Sequence, residues 1–431
     1  MTRIVVTGMG LVSPYGVGSE ILWEKLMAGE TGLKVLTSFD TSHIQCRVGG
    51  QVTDFIPQDY LSRRLLHKLD RFSVLGIVAI QQALRNAGLL LDDGEPVWNQ
   101  WEQGGHRVGI TVGNNLAGWE FGDRELRNLW QEGPREISPY MATAWFPASL
   151  QGNASIQLGM KGIGRTFLSD RASGAHAIIH AANCLARGRA DIMLAGGSEA
   201  PFTPFATLAY ETSGLMSKQS DTYSTAAYRP FDRDHDGLVA AEGSAFFVLE
   251  RAEDARKRKA PIIAELAGWA STHDGYDFVQ PAPDGERYAA AMIQAMERAG
   301  VDTKDVDCVF AAGSAVPSED VSETRAIHLA LGDAAKRVPV STPKSAFGNL
   351  FGAATPVDMS IALLAVRQRV IPPTLHLDQP APGCDLDYVP RTPRSVDQFD
   401  ICLVNARGIG GTNASLLLRR ARSIGPLQDR Q

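Results

Sequence analysis

The stretch that decides the fold is FLSDRASGAHAIIHAANCLARGRADIMLAGGSEA, residues 167–200. It predicts a strand, a tight turn, a helix over about 173–187 and a second strand that ends at Gly196 and Gly197. A turn that lifts one side chain off a strand, at the N-terminus of a helix, is a common mount for a nucleophile. Here the residue at the tip is Arg171, and the question is why such an elbow carries an arginine.

Strand-like and helical patterns alternate along the whole chain. Runs such as RVGITVGN and DCVFAAG are separated by helices such as LDRFSVLGIVAIQQALRNAG, whose apolar residues recur at three and four. This alternation favours the α/β class. Two parts share the same plan, so we predict two similar halves, 1–258 and 259–431, with the charged segment AEDARKRKAPI (252–262) as the connector.

Composition excludes several classes of protein. The 431 residues suffice for two core-forming units, and a net charge of -6 gives no reason to expect a nucleic-acid partner. No apolar run is long enough to span a membrane, and no secretory signal is readable. The five cysteines lack metal-ligand or disulfide spacing, so we expect reduced thiols in a cytoplasmic protein.

Two motifs resemble ligand loops. The aspartates of DRDHDGLVAAEG (232–243) are spaced as in a calcium loop, but the twelfth position is Gly243, so we predict a polar turn and no metal site. The glycines of NARGIGGTNASLLL (405–418) precede an apolar strand, whereas a nucleotide loop needs a helix there. We therefore predict a β-hairpin and no cofactor.

The chain resembles a β-ketoacyl-acyl-carrier-protein synthase of the elongating, condensing type. The resemblance is carried by VVTGMGLVSPYG, AGGSEA, RPFDRDHDGLVAAEG, PKSAFGN, PPTLHLDQPAPGCDLDYVP and GGTNASLLL. It implies the thiolase fold, in which two similar α/β halves form a five-layer αβαβα sandwich that works as a dimer. Such enzymes load an acyl chain on a cysteine and use two histidines to decarboxylate malonyl-carrier protein.

The three catalytic residues that the resemblance implies are absent. The family's elbow pattern, small-Ala-Cys-small-Ser-Gly, falls on residues 169–174 and puts Arg171 at the cysteine position. Ala312 stands where the first histidine is expected, and Asn349 closes the KSAFGN segment in place of the second. A guanidinium stays protonated and cannot be acylated, so we expect no catalytic residue and no condensing activity in this chain alone.

The surroundings of the former site are retained. Lys344, Asp320 and Glu323 match family positions beside the active site, and Ile409 replaces the phenylalanine that gates the cysteine. The last change suggests that the gate is no longer needed.

Arg171 itself has two interpretations. One is a substitution tolerated after the chemistry was lost. The other is a structural ion pair, because an unpaired buried cation at a helix N-terminus would cost several kcal/mol. The candidate carboxylate partners are Asp170, Glu319, Asp320 and Glu323.

Inactive copies of this fold are known as the chain length factor, the ketosynthase β subunit of type II polyketide systems. The resemblance implies a heterodimer with an active ketosynthase α subunit, acting on an acyl carrier protein that holds the growing polyketide, in aromatic or polyene pathways. The segments that would line the acyl-chain tunnel supply five candidates: Leu116, Trp119, Phe121, Tyr140 and Met141. The alternative is that these are ordinary core residues of the interface.

Two other functions stay open. One is a scaffold or carrier-protein-docking subunit with no role in chain length. The other is a decarboxylating initiation subunit, which would be expected to keep both histidines.

Overall fold

The computed structural model describes residues 2–421. The strands are β1 Ile4–Ser13, β2 Gly16–Val17, β3 Lys34–Val35, β4 Val48–Gly49, β5 Val108–Gly113, β6 Gly164–Phe167, β7 Ile192–Glu199, β8 Gly243–Arg251, β9 Ala264–His273, β10 Cys308–Phe310, β11 Val340–Ser341, β12 Val370–Ile371, β13 Arg394–Ser395, β14 Ile401–Gly408 and β15 Thr412–Arg420. The α-helices are α1 Ser19–Met27, α2 Arg63–Leu66, α3 Arg71–Asn86, α4 Trp119–Gln131, α5 Met141–Ala144, α6 Ser149–Gln157, α7 Ser173–Ala186, α8 Pro204–Thr212, α9 Ser220–Tyr223, α10 Ala252–Lys257, α11 Glu286–Ala299, α12 Pro317–Leu331 and α13 Ala354–Gln368.

The strand order shows the duplication. The main sheet runs β11-β10-β14-β15-β9-β1-β8-β7-β5-β6, with β2 paired to β1 outside this path. Going outward from the central β1–β9 pair, the strands on each side form two antiparallel pairs and then two parallel pairs. Equal order and direction on both sides confirm the two similar α/β halves.

Five layers follow from how the helices cover the sheet. Helix α3 packs on β1 and β8, and α11 packs on β9 and β15 with α12 beside it. Helices α7 and α13 lie in the middle, where each contacts strands of both halves. One apolar core lies under α3, a second surrounds the two central helices on both of their sides, and a third lies under α11 and α12, so the predicted αβαβα sandwich is confirmed.

Two glycines of β1 allow the outer helix α3 to lie close to this strand. A Cβ at Gly8 would lie 2.1 Å from the backbone oxygen of Ala83, and one at Gly10 would lie 1.9 Å from that of Ala79. Only glycine therefore lets α3 approach β1 this closely. The helix starts at its N-cap Asp70, whose side chain accepts a hydrogen bond from the Phe72 N–H.

The connecting segments match the sequence patterns. Residues 252–257 of the predicted connector form α10, with acidic residues in its first turn and basic residues in its last, as the helix dipole favours. The NARGIGG segment is the β14–β15 hairpin that was predicted, with Gly408 opposite Thr412. The boundary at 258/259 stays a prediction, and residues 422–431 of the second half lie outside the described residues.

The DRDHDG segment is a turn held by its own side chains. Asp232 accepts hydrogen bonds from the backbone N–H groups of Asp378 and Gln379, and Asp236 accepts one from Lys218. The carboxylates thus fasten neighbouring loops. Within residues 2–421, none of the helices combines the length and apolar character that crossing a bilayer requires.

Candidate functional site

The elbow lies between β6 and α7. Asp170 has a left-handed φ of +50°, which turns the chain sharply before the helix begins at Ser173. The Ser173 hydroxyl accepts a hydrogen bond from the Ser169 N–H and donates one to the Asp170 carbonyl, both at 2.7 Å. The predicted strand, turn and helix are all present, and Arg171 stands at the tip.

Arg171 is buried, with only 4% of its surface exposed, and is fully paired. Its two terminal nitrogens donate to the two carboxylate oxygens of Glu319 at 2.7 and 2.8 Å, and Nε donates to Asp170 Oδ2 at 3.0 Å. The parallel pair of bonds is the strong, geometrically specific form of arginine–carboxylate contact. Of the four carboxylates considered from the sequence, Asp170 and Glu319 are therefore the partners.

All three groups are held in their charged forms. Burial alone would lower the pKa of Arg171, but Glu319 and Asp170 hold it well above its ordinary value. Burial would likewise raise the pKa of each carboxyl, but the charge of Arg171 keeps the pKa of both Glu319 and Asp170 below the ordinary range. The cluster is a buried ionic unit in which the cation and both carboxylates have partners of opposite charge.

Asp320 and Glu323 fasten the backbone instead. Asp320 is buried and accepts hydrogen bonds from the N–H groups of Ser314 and Phe231 at 3.0 and 2.7 Å. Glu323 accepts one from the Ala312 N–H at 2.9 Å. Ala312 is thus held in place by its main chain, and its methyl group offers no hydrogen-bond donor.

Asn349 uses both polar side-chain atoms within the protein. Its Nδ2 donates to the hydroxyl of Tyr228 at 3.2 Å, and its Oδ1 accepts from the Phe351 N–H at 2.9 Å. The side chain is buried. It is a structural amide that fixes the loop ahead of α13.

Two further buried cations lie nearby. Lys344 donates to the Ala311 carbonyl at 2.9 Å and forms an ion pair with Asp358. Burial raises the pKa of Asp358 to about 6, although Lys344 opposes the shift. Arg407, on β14, forms an ion pair with Asp274 at 2.6 Å. Charged side chains therefore surround the place where an acyl chain would have to lie.

Little space is left between these groups. The cavity that remains there measures about 10 Å³. Its lining includes Arg171, Ala312, Lys344, Asn349, Asp358 and Arg407. A volume of this size holds about one water molecule, so an acyl thioester does not fit.

Asp170 also joins the elbow to the β14–β15 turn. Its Oδ2 accepts a hydrogen bond from the Ile409 N–H at 2.9 Å, and its Oδ1 accepts bonds from Asn115 Nδ2 at 3.1 Å and the Tyr210 hydroxyl at 3.4 Å. Ile409 is half-buried and packs against a small core cluster. The turn that carries Ile409 is therefore tied to the elbow through one carboxylate.

The five tunnel candidates lie on two adjoining segments. Leu116 and Phe121 are buried, and Trp119 stacks on Phe205 with ring centroids 4.8 Å apart and planes 8° from parallel. Tyr140 and Met141 are half-buried at the start of α5. A close approach of Gly118 to Ala144 packs the two segments together. Their role in a tunnel stays a prediction.

Comparison with known families decides the identity. The family described as beta-ketoacyl synthase, N-terminal domain, matches residues 1–255, and the family described as beta-ketoacyl synthase, C-terminal domain, matches residues 263–378. The chain belongs to the β-ketoacyl synthase family. Its five-layer sandwich is accordingly the thiolase fold.

Catalytic enzymes and subunits both occur among the relatives of this chain. The tetracenomycin polyketide synthase ketoacyl synthase beta subunit of Streptomyces glaucescens is 39% identical over 97% of this chain and 98% of its own length. The 3-oxoacyl-[acyl-carrier-protein] synthase 2 of Vibrio cholerae is 36% identical over 97% of this chain and 99% of its own length.

Two solved structures resemble this chain over nearly their full length. The ishigamide ketosynthase/chain length factor has a TM-score of 0.86 and 27% identity, covering 97% of this chain and 99% of that one. A type II polyketide synthase acyl carrier protein in complex with its hexaketide-bound ketosynthase has a TM-score of 0.85 and 28% identity, with the same coverage.

Sequence reasoning missed some residues of the site. The bonds of Asp170 to Ile409, Asn115 and Tyr210 were not foreseen, nor was the Arg407–Asp274 pair. The sequence signals only the local part of this arrangement, because Asp170 stands where the family's elbow pattern has alanine. An acidic residue beside an arginine at the tip of an elbow indicates a local ion pair.

Proposed function

We propose that the chain is a non-catalytic chain length factor, the ketosynthase β subunit of a cytoplasmic type II polyketide synthase. It pairs with an active ketosynthase α subunit and shapes the tunnel for the chain carried by the acyl carrier protein. The observation that carries this proposal is the Arg171–Glu319 pair, which fills the place assigned to the nucleophile.

The remaining positions support the loss of chemistry. Condensation needs a thiolate and two donors that stabilise the enolate formed on decarboxylation. Ala312 offers no side-chain donor, and the side-chain atoms of Asn349 bond to Tyr228 and Phe351. With about 10 Å³ of free volume beside them, neither position can serve a substrate.

A surface suited to a partner is present beside the site. Strand β6 ends the main sheet and pairs with β5 alone among the described strands, so one of its edges is open. Phe146, Ile156 and Leu168 expose 53%, 82% and 54% of their surface. An open sheet edge with exposed apolar side chains is typical of a protein interface.

The tunnel role is supported by the shape of the α4 region. The stacked rings of Trp119 and Phe205 form a flat aromatic surface, and Phe205 is 54% exposed. Bulky, rigid side chains at a subunit boundary can limit the length of an enclosed chain, since close-packed sites reject even one extra methylene.

Similarity to known subunits agrees with this assignment. The relative from Streptomyces glaucescens is named a beta subunit, and one of the similar structures is named a ketosynthase/chain length factor. The complex of a ketosynthase with an acyl carrier protein supports the carrier protein as the second partner.

The test is to co-express this chain with a neighbouring ketosynthase that retains its cysteine and both histidines. We expect the two chains to co-elute one to one and to extend malonyl-carrier protein, while this chain alone neither condenses nor decarboxylates it. Decarboxylation by this chain alone would favour the initiation subunit. If no substitution at the tunnel positions changes the product length of the complex, the scaffold function with no role in chain length would be favoured.

A further inference from the structure

We propose that a cluster of arginines beside β6, formed by Arg165, Arg187 and Arg189, selects a partner subunit with an acidic facing surface and opposes pairing with a second copy of this chain. We call these three residues the basic rim. The identity of the partner as a ketosynthase rests on the proposed function, whereas the selection against self-pairing does not.

The basic rim is continuous with the open edge of the sheet. Arg165 lies within β6, and Arg187 and Arg189 follow the C-terminus of α7. The ring of Phe167 on β6 lies 5.3 Å from that of His180 on α7, which places the two elements against each other. All three arginines are exposed.

The arginines are close enough to act together. Burial lowers the pKa of His180, and Arg165, Arg189 and Arg187 each lower it further. The three arginines therefore lie around His180, whose ring packs on Phe167 of β6.

The charge of the basic rim is not neutralised by the chain itself. Arg165 donates to the Gly164 carbonyl at 3.2 Å, and within residues 2–421 none of the ion pairs with a carboxylate involves these three guanidinium groups. The nearby Arg107 and Arg251 differ, because both pair with Asp191 at 2.6 Å. In a chain with a net charge of -6, three neighbouring uncompensated cations are a local departure from the overall balance.

Symmetry makes this charge unfavourable in a homodimer. In a two-fold interface the same patch of both copies meets, so residues near the axis face their own counterparts. Strand β6 has only four residues, and pairing of its open edge with itself would bring the two Arg165 side chains close together. Like charges at such a boundary oppose association, whereas acidic residues on a different subunit would favour it.

The exposed apolar side chains beside the basic rim give affinity without choosing between partners. Ile156 and Leu168 would bury against either a second copy or a different subunit of the same fold. The charge of the basic rim is the feature that distinguishes a second copy from a different subunit. It favours a partner with carboxylates opposite Arg165, Arg187 and Arg189.

The test uses the full chain alone in sedimentation velocity at about 50 mM and about 500 mM NaCl, where screening lengths differ severalfold. We expect a monomer at low salt and more self-association at high salt. Arg165→Gln should strengthen self-association about tenfold at low salt, since it removes the like charges that face each other across the axis. Arg337→Gln, which neutralises an exposed arginine elsewhere, is the matched control and should change nothing.

A second measurement uses the co-expressed ketosynthase. Arg165→Glu and, separately, Arg187→Glu should weaken the heterodimer about tenfold at low salt, and the wild-type affinity should fall as salt rises. Self-association that is equal for the wild-type chain and Arg165→Gln would overturn the proposal. A heterodimer whose affinity changes neither with salt nor with Arg165→Glu or Arg187→Glu would also overturn it. The proposed function would still stand in that case. If no heterodimer forms, the proposed function fails, and the self-association result still decides the role of the basic rim.

Discussion

Arg171 and Glu319 are joined by two parallel hydrogen bonds of 2.7 and 2.8 Å. Arg171 stands just before α7 in the first half, and Glu319 belongs to the first turn of α12 in the second. The position that the resemblance assigns to a nucleophile is thus a link between the two halves. Its contribution is to the fold, where a catalytic cysteine would have left an open pocket.

Arg171→Ala should destabilise the chain by about 3–5 kcal/mol, because it leaves Glu319 and Asp170 as buried, uncompensated charges. Urea unfolding followed by circular dichroism measures the change. Arg337→Ala, which removes an exposed arginine, is the control and should alter stability by less than about 0.5 kcal/mol.

The double substitution Arg171→Met with Glu319→Met distinguishes the loss of the whole ion pair from the loss of one partner. It should cost less than either single change, since an apolar replacement of a buried ion pair leaves fewer unpaired charges. If Arg171→Ala unfolds, expresses and assembles like the parent, the arginine is a tolerated substitute and the structural interpretation fails.

Asp170→Asn should loosen the turn that carries Ile409. Asparagine tolerates the left-handed φ of this position, so the elbow itself is preserved, but its single amide oxygen cannot accept both the Ile409 N–H and the bonds from Asn115 and Tyr210. Hydrogen exchange followed by mass spectrometry should show faster exchange in peptides that cover residues 408–411. Peptides from β9 serve as the internal control, and equal rates at 408–411 in both proteins would argue against the link.

Asp70 should make stability depend on pH. Its carboxylate caps α3 and also accepts the Phe121 N–H at 2.7 Å, while burial raises its pKa to about 7. Because the folded chain holds this proton more tightly than the unfolded chain, the contribution of Asp70 is present below about pH 4 and is lost as pH rises through about 4 to 7. Above pH 7 it stays constant.

Asp70→Asn removes this titration and keeps a residue that caps helices well. The difference in unfolding free energy between wild type and variant, measured in urea at several pH values, should therefore favour the wild type more at pH 4 than at pH 8. A difference that is flat over this range would show that Asp70 titrates normally.

Trp119→Gly or Leu116→Gly should lengthen the products of the assembled complex, because each removes volume at the predicted end of the tunnel. Mass spectrometry of the polyketides released from the complex measures the length. Trp101→Gly, a change at an exposed tryptophan outside the α4 region, is the control. Unchanged lengths after truncation of all five tunnel candidates would remove the gating role.

The local sequence pattern was enough to predict most helices and strands. Contacts between residues far apart in the chain could not be predicted from it. The helix expected over about 173–187 is α7, Ser173–Ala186, since its apolar spacing is regular. The following strand was expected to end at Gly196 and Gly197 but continues to Glu199. A Cβ at Gly196 would lie 2.0 Å from the Ala245 oxygen, so this glycine serves close strand packing and does not end the strand.

At the site, the sequence supplied the candidates but not the choice among them. Glu319, Asp320 and Glu323 all lie in the first two turns of α12, and only the docking of that helix decides which one faces the elbow. The tie between Asp170 and Ile409 depends on a backbone turn and a hairpin far apart in the chain. Neither feature leaves a periodic pattern.

The pairing of β1 has a consequence for how the chain folds. Its neighbours along the main path of the sheet, β8 and β9, begin only at residues 243 and 264. At ribosomal rates of about 5–20 residues per second, β1 waits roughly 12 to 50 seconds for a partner. A fragment that ends after the first half would leave one edge of β1 and one side of α7 bare. We therefore expect the two halves to fold as a single cooperative unit, and residues 1–258 expressed alone to aggregate.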